Sequence, residues 1–191
     1  RPMRCEIMLS DQIRENYISI LQEELMLATG CTEPIAIAYC AAKMRELLDQ
    51  EPDEVKAVVS GNIIKNVKSV VVPNTGFQKG IKPAIAVGIV AGDASKNLQV
   101  IADVTEEQQP EIVSFLKRVP ISVECGQSPC LLDIWITGTT RSGHSASVRI
   151  TNNHTNVVYL AKDDEVMLDL PIVDAADEHL TDKSCLNVED I

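Results

Sequence analysis

LLDIWITGTTRSGHSASVRITNN, residues 131–153, alternates apolar and polar side chains on both sides of a glycine-containing turn. Leu132, Ile134 and Ile136 share one face of the first run, and Ala146, Val148 and Ile150 share one face of the second. Period two in two runs joined by a short polar link predicts a hairpin with one buried face. ISVEC (121–125), with Ile121 and Val123 inward, adds a strand before the hairpin, and NVVYLAK (156–162) adds one after it.

Upstream the period lengthens. Ser10 can cap a helix running to about Ala28, on which Ile13, Tyr17, Leu21 and Leu25 repeat every four residues. Gly30 ends it, Thr32 caps the next helix and Pro34 suits its first turn. That second helix reaches about Leu48, with Ile35, Ala38, Ala42 and Leu47 as its stripe. Val55, Ala57 and Val59 then alternate as a strand, and KNVKSVVVP (65–73) reads as a second β-rich run. NTGFQKG (74–80) is a loop, and IKPAIAVGIVAGD (81–93) is a short helix whose Gly88 and Gly92 admit another backbone. A strand is expected over Leu98–Ala102. Thr105 and Gln108 have capping-box spacing before a helix bearing Ile112, Phe115, Leu116 and Val119. The fold class is therefore α+β: an N-terminal helix pair, then a mixed, mostly antiparallel sheet covered by helices.

Charge divides the chain. Of its 191 residues, 163–191 hold ten acids and one base, Lys183, whereas the remainder is close to neutral with 18 acids and 16 bases. Two parts are expected: an α+β domain over 1–162, and an acidic tail or linker over 163–191. Arg1 to Met8 read as an upstream leader. No basic stripe with interleaved aromatics is present, which argues against nucleic acid. No run approaches the roughly 18 apolar residues of a membrane span, and a signal-peptide pattern is absent, so a cytoplasmic location is expected. The six cysteines form no CxxC, and disulfides are not expected.

Polar chemistry concentrates at three junctions. Cys31-Thr32-Glu33 sits at a helix start, where free N–H groups and the helix dipole favour a thiolate; the alternative is a thiol packed in a turn. Ser60–Asn66 offers Asn62, Lys65 and Asn66 beside strands, and the 73–80 loop offers Asn74, Thr75 and Lys79 to a carboxylate or phosphate, or merely to solvent. His144 and His154 flank a strand and read as hydrogen-bonded turn residues. Cys125 and Cys130 bracket a turn and read as structural.

The segments GCTEPIAIAYCAA, SGNIIKNVKSVVVPNTGFQKGIKPAIAVGIVAGD and NNHTNVV resemble the L-cysteine desulfidase family, relatives of the iron–sulfur L-serine dehydratase alpha chain. The likeness runs from about Leu9 onward. It implies a C-terminal helical part beyond SCLNVEDI and a 4Fe-4S cluster held by three cysteines. The Gly-Cys-Thr-Glu-Pro cysteine is one of the three, which makes Cys31 a metal ligand; the other two lie in the missing region. It further implies α,β-elimination from L-cysteine to sulfide, ammonia and pyruvate. Thr32, Glu33, Asn62, Lys65, Asn66, Asn74, Thr75 and Lys79 are the candidates for holding the amino acid, and the catalytic base is unassigned. The expected partners are a small amino-acid substrate and the chain's own C-terminal region, with a homo-oligomer left open. L-serine dehydration is the alternative chemistry, and a non-enzymatic binding or interaction domain is the alternative class.

Overall fold

The computed structural model describes residues 10–172 and 183–186. Arg1–Met8, read as an upstream leader, lie outside them. The chain divides into two compact units, one of residues 27–174 and one of residues 1–26 with 175–191. In the smaller unit, α1 spans Asp11–Glu24, with Ser10 accepting from the Ile13 N–H at 3.4 Å. The Tyr17 hydroxyl donates to the Cys185 carbonyl at 3.1 Å. The helix stops short of the expected Ala28, because Leu25 is already extended.

The larger unit is a sheet with helices packed on it. Its strands are β1 (Glu54–Val59), β2 (Ile121–Cys125), β3 (Asp133–Thr139), β4 (Ser145–Thr151), β5 (Val157–Lys162) and β6 (Glu165–Asp169). Their order is β2-β1-β3-β4-β5-β6, with β1 and β2 parallel and every other pair antiparallel. The fold is α+β, as the alternation around residues 131–153 requires. The sheet runs on past Lys162: β6, inside the stretch read as an acidic tail, pairs Leu168 with Leu160.

The helices are α2 (Thr32–Leu48), α3 (Gly61–Val67), α4 (Ile81–Ala91) and α5 (Gln109–Arg118). Residues Ile35 to Ala42 of α2 are all buried, so this helix is apolar all round and sits inside the unit. Its alanines permit close approach on two sides. On one side the Cys40 Sγ lies 3.4 Å from the Val148 carbonyl of the sheet. On the other it meets α4, where a Cβ on Gly88 would fall 2.2 Å from the Ala38 oxygen. The expected backbone approach at Gly88 is thus present. Ile134, Ile136, Ala146, Val148 and Ile150 face these helices and are fully buried. Removing each such isoleucine from water contributes about 1.5–3 kcal/mol.

Three expectations change. Residues 65–73 are not a strand: Ser60 caps α3, Ile63 and Val67 bury a four-residue stripe, and extended pairing is confined to a Val71–Lys79 bridge. Leu98–Ala102 is not a strand either. A 3-10 turn over Ala94–Gln99, kinked at Asn97 with φ 50°, tucks Leu98, Val100 and Ile101 into the core. Apolar residues here plug a corner instead of lining a sheet. Finally, Cys31 itself, not Thr32, is the N-cap of α2. At Thr105 the capping-box pairing forms as expected, with the backbone N–H donating to Gln108 Oε1 at 3.0 Å.

Candidate functional site

Register brings several chain segments to one end of the sheet. Val59, the last residue of β1, pairs with Cys125 of β2 and with Ile134 of β3, and Asp133 pairs with Thr151 at the end of β4. The strand ends of β1, β2 and β4 and the start of β3 therefore coincide. Chain direction then places the helices. Cys40 lies against Ile134, and four residues later Met44 lies against Gly138, so α2 runs alongside β3 in the same sense. Its first turn must project past Asp133, at that same end. There α3 follows β1 directly, and the 152–156 turn between β4 and β5 closes the group.

The side chains at this end make contact. Glu33 collects three donors: the Cys31 thiol at 3.3 Å, the Thr32 hydroxyl at 3.5 Å and the Asn66 amide at 3.3 Å. Asn62 and Lys65 are at i−4 and i−1 from Asn66, spacings that put Asn62 on the same helical face as Asn66. Ser60 fixes the root of α3, its hydroxyl donating to the Leu131 carbonyl at 2.6 Å. Cys125, exposed, lies beside Gly61.

The electrostatics correct one expectation. The helix start does not favour a Cys31 thiolate. Partial desolvation, then the hydrogen bond to Glu33 and its charge, push the thiol up, and the backbone N–H groups of Glu33 and Thr32 do not offset them. Desolvation also raises Glu33. Its own backbone N–H, the Cys31 thiol, the Asn66 amide and the field of His154 outweigh that and hold the carboxyl below the ordinary carboxylate range. His154 is half-buried, and burial lowers its imidazole despite the pull of Glu33. Reading His154 as a plain turn residue overlooked this proximity; its place in the NNHTNVV segment, three residues past β4, was the available signal.

The 73–80 loop also touches this corner. A Cβ on Gly30 would come within 2.8 Å of Pro73 Cγ, so the Cys31 turn and the loop are packed together. Within the loop, however, Asn74 donates to the Ile101 carbonyl at 2.8 Å and buried Thr75 donates to the Val72 carbonyl at 2.7 Å. Both side chains are committed to holding the loop, Asn74 to the segment after the 3-10 turn and Thr75 to the residue just before the loop. Lys79 is exposed and lies in the bridge with Val71. A broad groove of about 610 Å³ opens between this loop and α5, lined by Thr75, Gln78, Gln109 and Lys117 among others. It does not include Cys31, Glu33, Asn66 or His154.

The larger unit is thus an α+β domain with a thiol, a carboxylate, an amide and an imidazole brought to the sheet end where β1, β2 and β4 finish and β3 begins. The chain's homologues are named UPF0597 proteins. That of Treponema denticola is 45% identical over 178 residues, covering 93% of this chain and 41% of the relative. That of Desulfitobacterium hafniense is 45% identical over 181 residues, covering 95% and 42%, and that of Fusobacterium nucleatum is 41% identical over 177, covering 92% and 41%. The chain spans about two-fifths of the length of the curated relatives it matches. No protein-family model matches it, and no solved structure does. Among the described residues no helix is long and apolar enough to cross a membrane.

Proposed function

We propose that this chain carries one side of an α,β-elimination site for a small amino acid, L-cysteine above L-serine, in an iron–sulfur lyase. The observation that carries the reading is the meeting of Cys31, Thr32, Glu33 and Asn66 at one end of the sheet. The family resemblance of the GCTEP, SGNIIKN and NNHTNVV segments supplies the chemistry.

The residues fit one corner of a 4Fe-4S cluster and no more. Cys31 is exposed at a helix N-cap, where a metal can reach its sulfur. Among the described residues no three metal-ligating side chains converge, and the family resemblance puts the other two ligands in a C-terminal part beyond this chain. When bound, the cluster supplies a Lewis acid for the departing sulfur or hydroxyl.

The chain's own side chains do the rest. Glu33 is held ionised beside the Cys31 thiol, which donates to it at 3.3 Å. The same carboxylate can pair with a substrate ammonium. Asn66 and Thr32 fix Glu33 in place, and Asn62 and Lys65 of α3 offer donors to a substrate carboxylate. Asn74 and Thr75 support the site through the loop they hold against the Cys31 turn.

The test is anaerobic iron–sulfur reconstitution of the longer protein that contains this segment, followed by assays for pyruvate and sulfide from L-cysteine, and for pyruvate and ammonia from L-serine. Cys31→Ser is expected to lose iron and turnover together, while Cys40→Ser keeps both. A loaded protein that eliminates neither substrate overturns the reading.

A further inference from the structure

We propose that His154 is the general base of this site, the group that takes the substrate's α-proton; the proposal rests on the elimination reading above. Three observations lead to it. The first is placement. Thr151 ends β4 opposite Asp133, so the turn that carries His154 emerges at the sheet end past which the first turn of α2 projects. The backbone holds it there: the Asn152 N–H donates to the Leu132 carbonyl at 3.0 Å, and the Asn156 N–H donates to the Asn153 carbonyl at 3.2 Å. His154 is therefore presented by a fixed turn, on the rim that already holds Glu33 and Asn66.

The second observation is chemical elimination among neighbours. Glu33 already accepts from three donors, so its oxygens are engaged. Cys31 is committed as a ligand. Lys65 is exposed on α3 and is already assigned to the substrate carboxylate. The third is the state of the imidazole. Half-buried, and pushed toward its neutral form by that burial, His154 keeps a free electron pair on one ring nitrogen at neutral pH. The nearby Glu33 carboxylate then stabilises the imidazolium that proton uptake creates.

The step balances without any further reactant. The imidazole nitrogen binds the α-proton as the Cα–H bond breaks. That electron pair forms the Cα=Cβ bond, and the Cβ–S pair leaves with the sulfur. The aminoacrylate released takes up water and loses ammonia to give pyruvate. His144, the other described histidine, is at the opposite end of the sheet in the β3–β4 hairpin, paired with Asp163 at 3.3 Å, and serves as the control.

Two measurements test the proposal. In the reconstituted longer protein, His154→Asn and His154→Gln are expected to lower pyruvate formation about 10²- to 10⁴-fold while iron content is unchanged, and His144→Asn to leave turnover intact. In this chain alone, the His154 ring followed by NMR is expected to titrate lower in Glu33→Gln than in the wild type, because the carboxylate that favours its charged form is gone. Turnover within tenfold of wild type in both His154 variants overturns the base assignment and leaves the elimination reading standing. An unmoved His154 titration overturns it too, by separating the two side chains. A wild-type protein that is loaded yet inactive overturns the elimination reading first, and is recognised without any variant.

Discussion

The Asn66 amide donates to Glu33 Oε1 at 3.3 Å, joining the helix that follows β1 to the first turn of α2. The two residues are 33 positions apart, and the carboxylate they share also receives the Cys31 thiol. Because that carboxylate raises the thiol, Glu33→Gln is expected to lower the Cys31 pKa and to speed its alkylation by iodoacetamide at pH 8. Peptide mapping separates Cys31 from Cys125, which is also exposed. Unchanged alkylation would mean that Glu33 and Cys31 do not meet in solution.

Packing between α2 and α4 depends on one missing side chain. A Cβ on Gly88 would sit 2.2 Å from the Ala38 oxygen, and backbone is what it would strike. Alanine usually gains about 1 kcal/mol over glycine inside a helix. Here Gly88→Ala is expected to destabilise by about 1–3 kcal/mol, because the two helices must separate. Urea unfolding with an unchanged slope checks this, and a stabilised variant contradicts it.

On the sheet face opposite the helices, Arg149 donates twice to Asp133, at 2.9 and 2.6 Å, and its guanidinium stacks 4.9 Å from the Trp135 ring. Asp133 is buried, whereas Arg149 keeps 21% of its side chain exposed. Arg149→Met leaves a buried carboxylate without its partner and is expected to cost about 3 kcal/mol, the low end of the range for a buried pair. Adding Asp133→Asn should recover part of that loss. A double variant no better than the single one would show that the arginine acts through stacking on Trp135 instead.

How legible this fold was depended on what each residue packs against. The hairpin around Gly143 could be read directly, since one face of β3 and β4 meets helices and the alternation survives in the sequence. Residues 65–73 and 98–102 misled because β-branched side chains signal burial, not geometry. Ile63 and Val67 satisfy that burial on a helix, and Val100 and Ile101 satisfy it in a turn. The candidate site was legible in its parts only. Cys31, Glu33 and Asn66 stood out as polar residues beside punctuation, but their meeting is a product of register and of the direction of α2. His154 was missed because the spacing of residues 151–156 marks a turn and says nothing of the helix start that the sheet register brings to the same end.

Acid sensitivity follows from that histidine. Burial holds His154 below its ordinary value of 6.5, so the folded chain binds this proton more weakly than the unfolded chain does. Stability from this group is fully present above about pH 6.5 and is lost as pH falls below that value through the folded pKa. Glu33 and Asp163 are also held low, the latter by the Ser145 N–H and then by His144. Carboxylates of this kind give up their contribution only below about pH 4.5. Two windows are therefore expected in the stability of this chain, a first decline as pH falls below about 6.5, and a second at lower pH, below about 4.5. His154→Gln, which cannot titrate, should flatten the first window and leave the second in place. Denaturant midpoints measured at half-unit pH steps distinguish the two. A wild-type chain whose stability does not fall as pH drops below about 6.5 would show that burial does not depress the His154 imidazole.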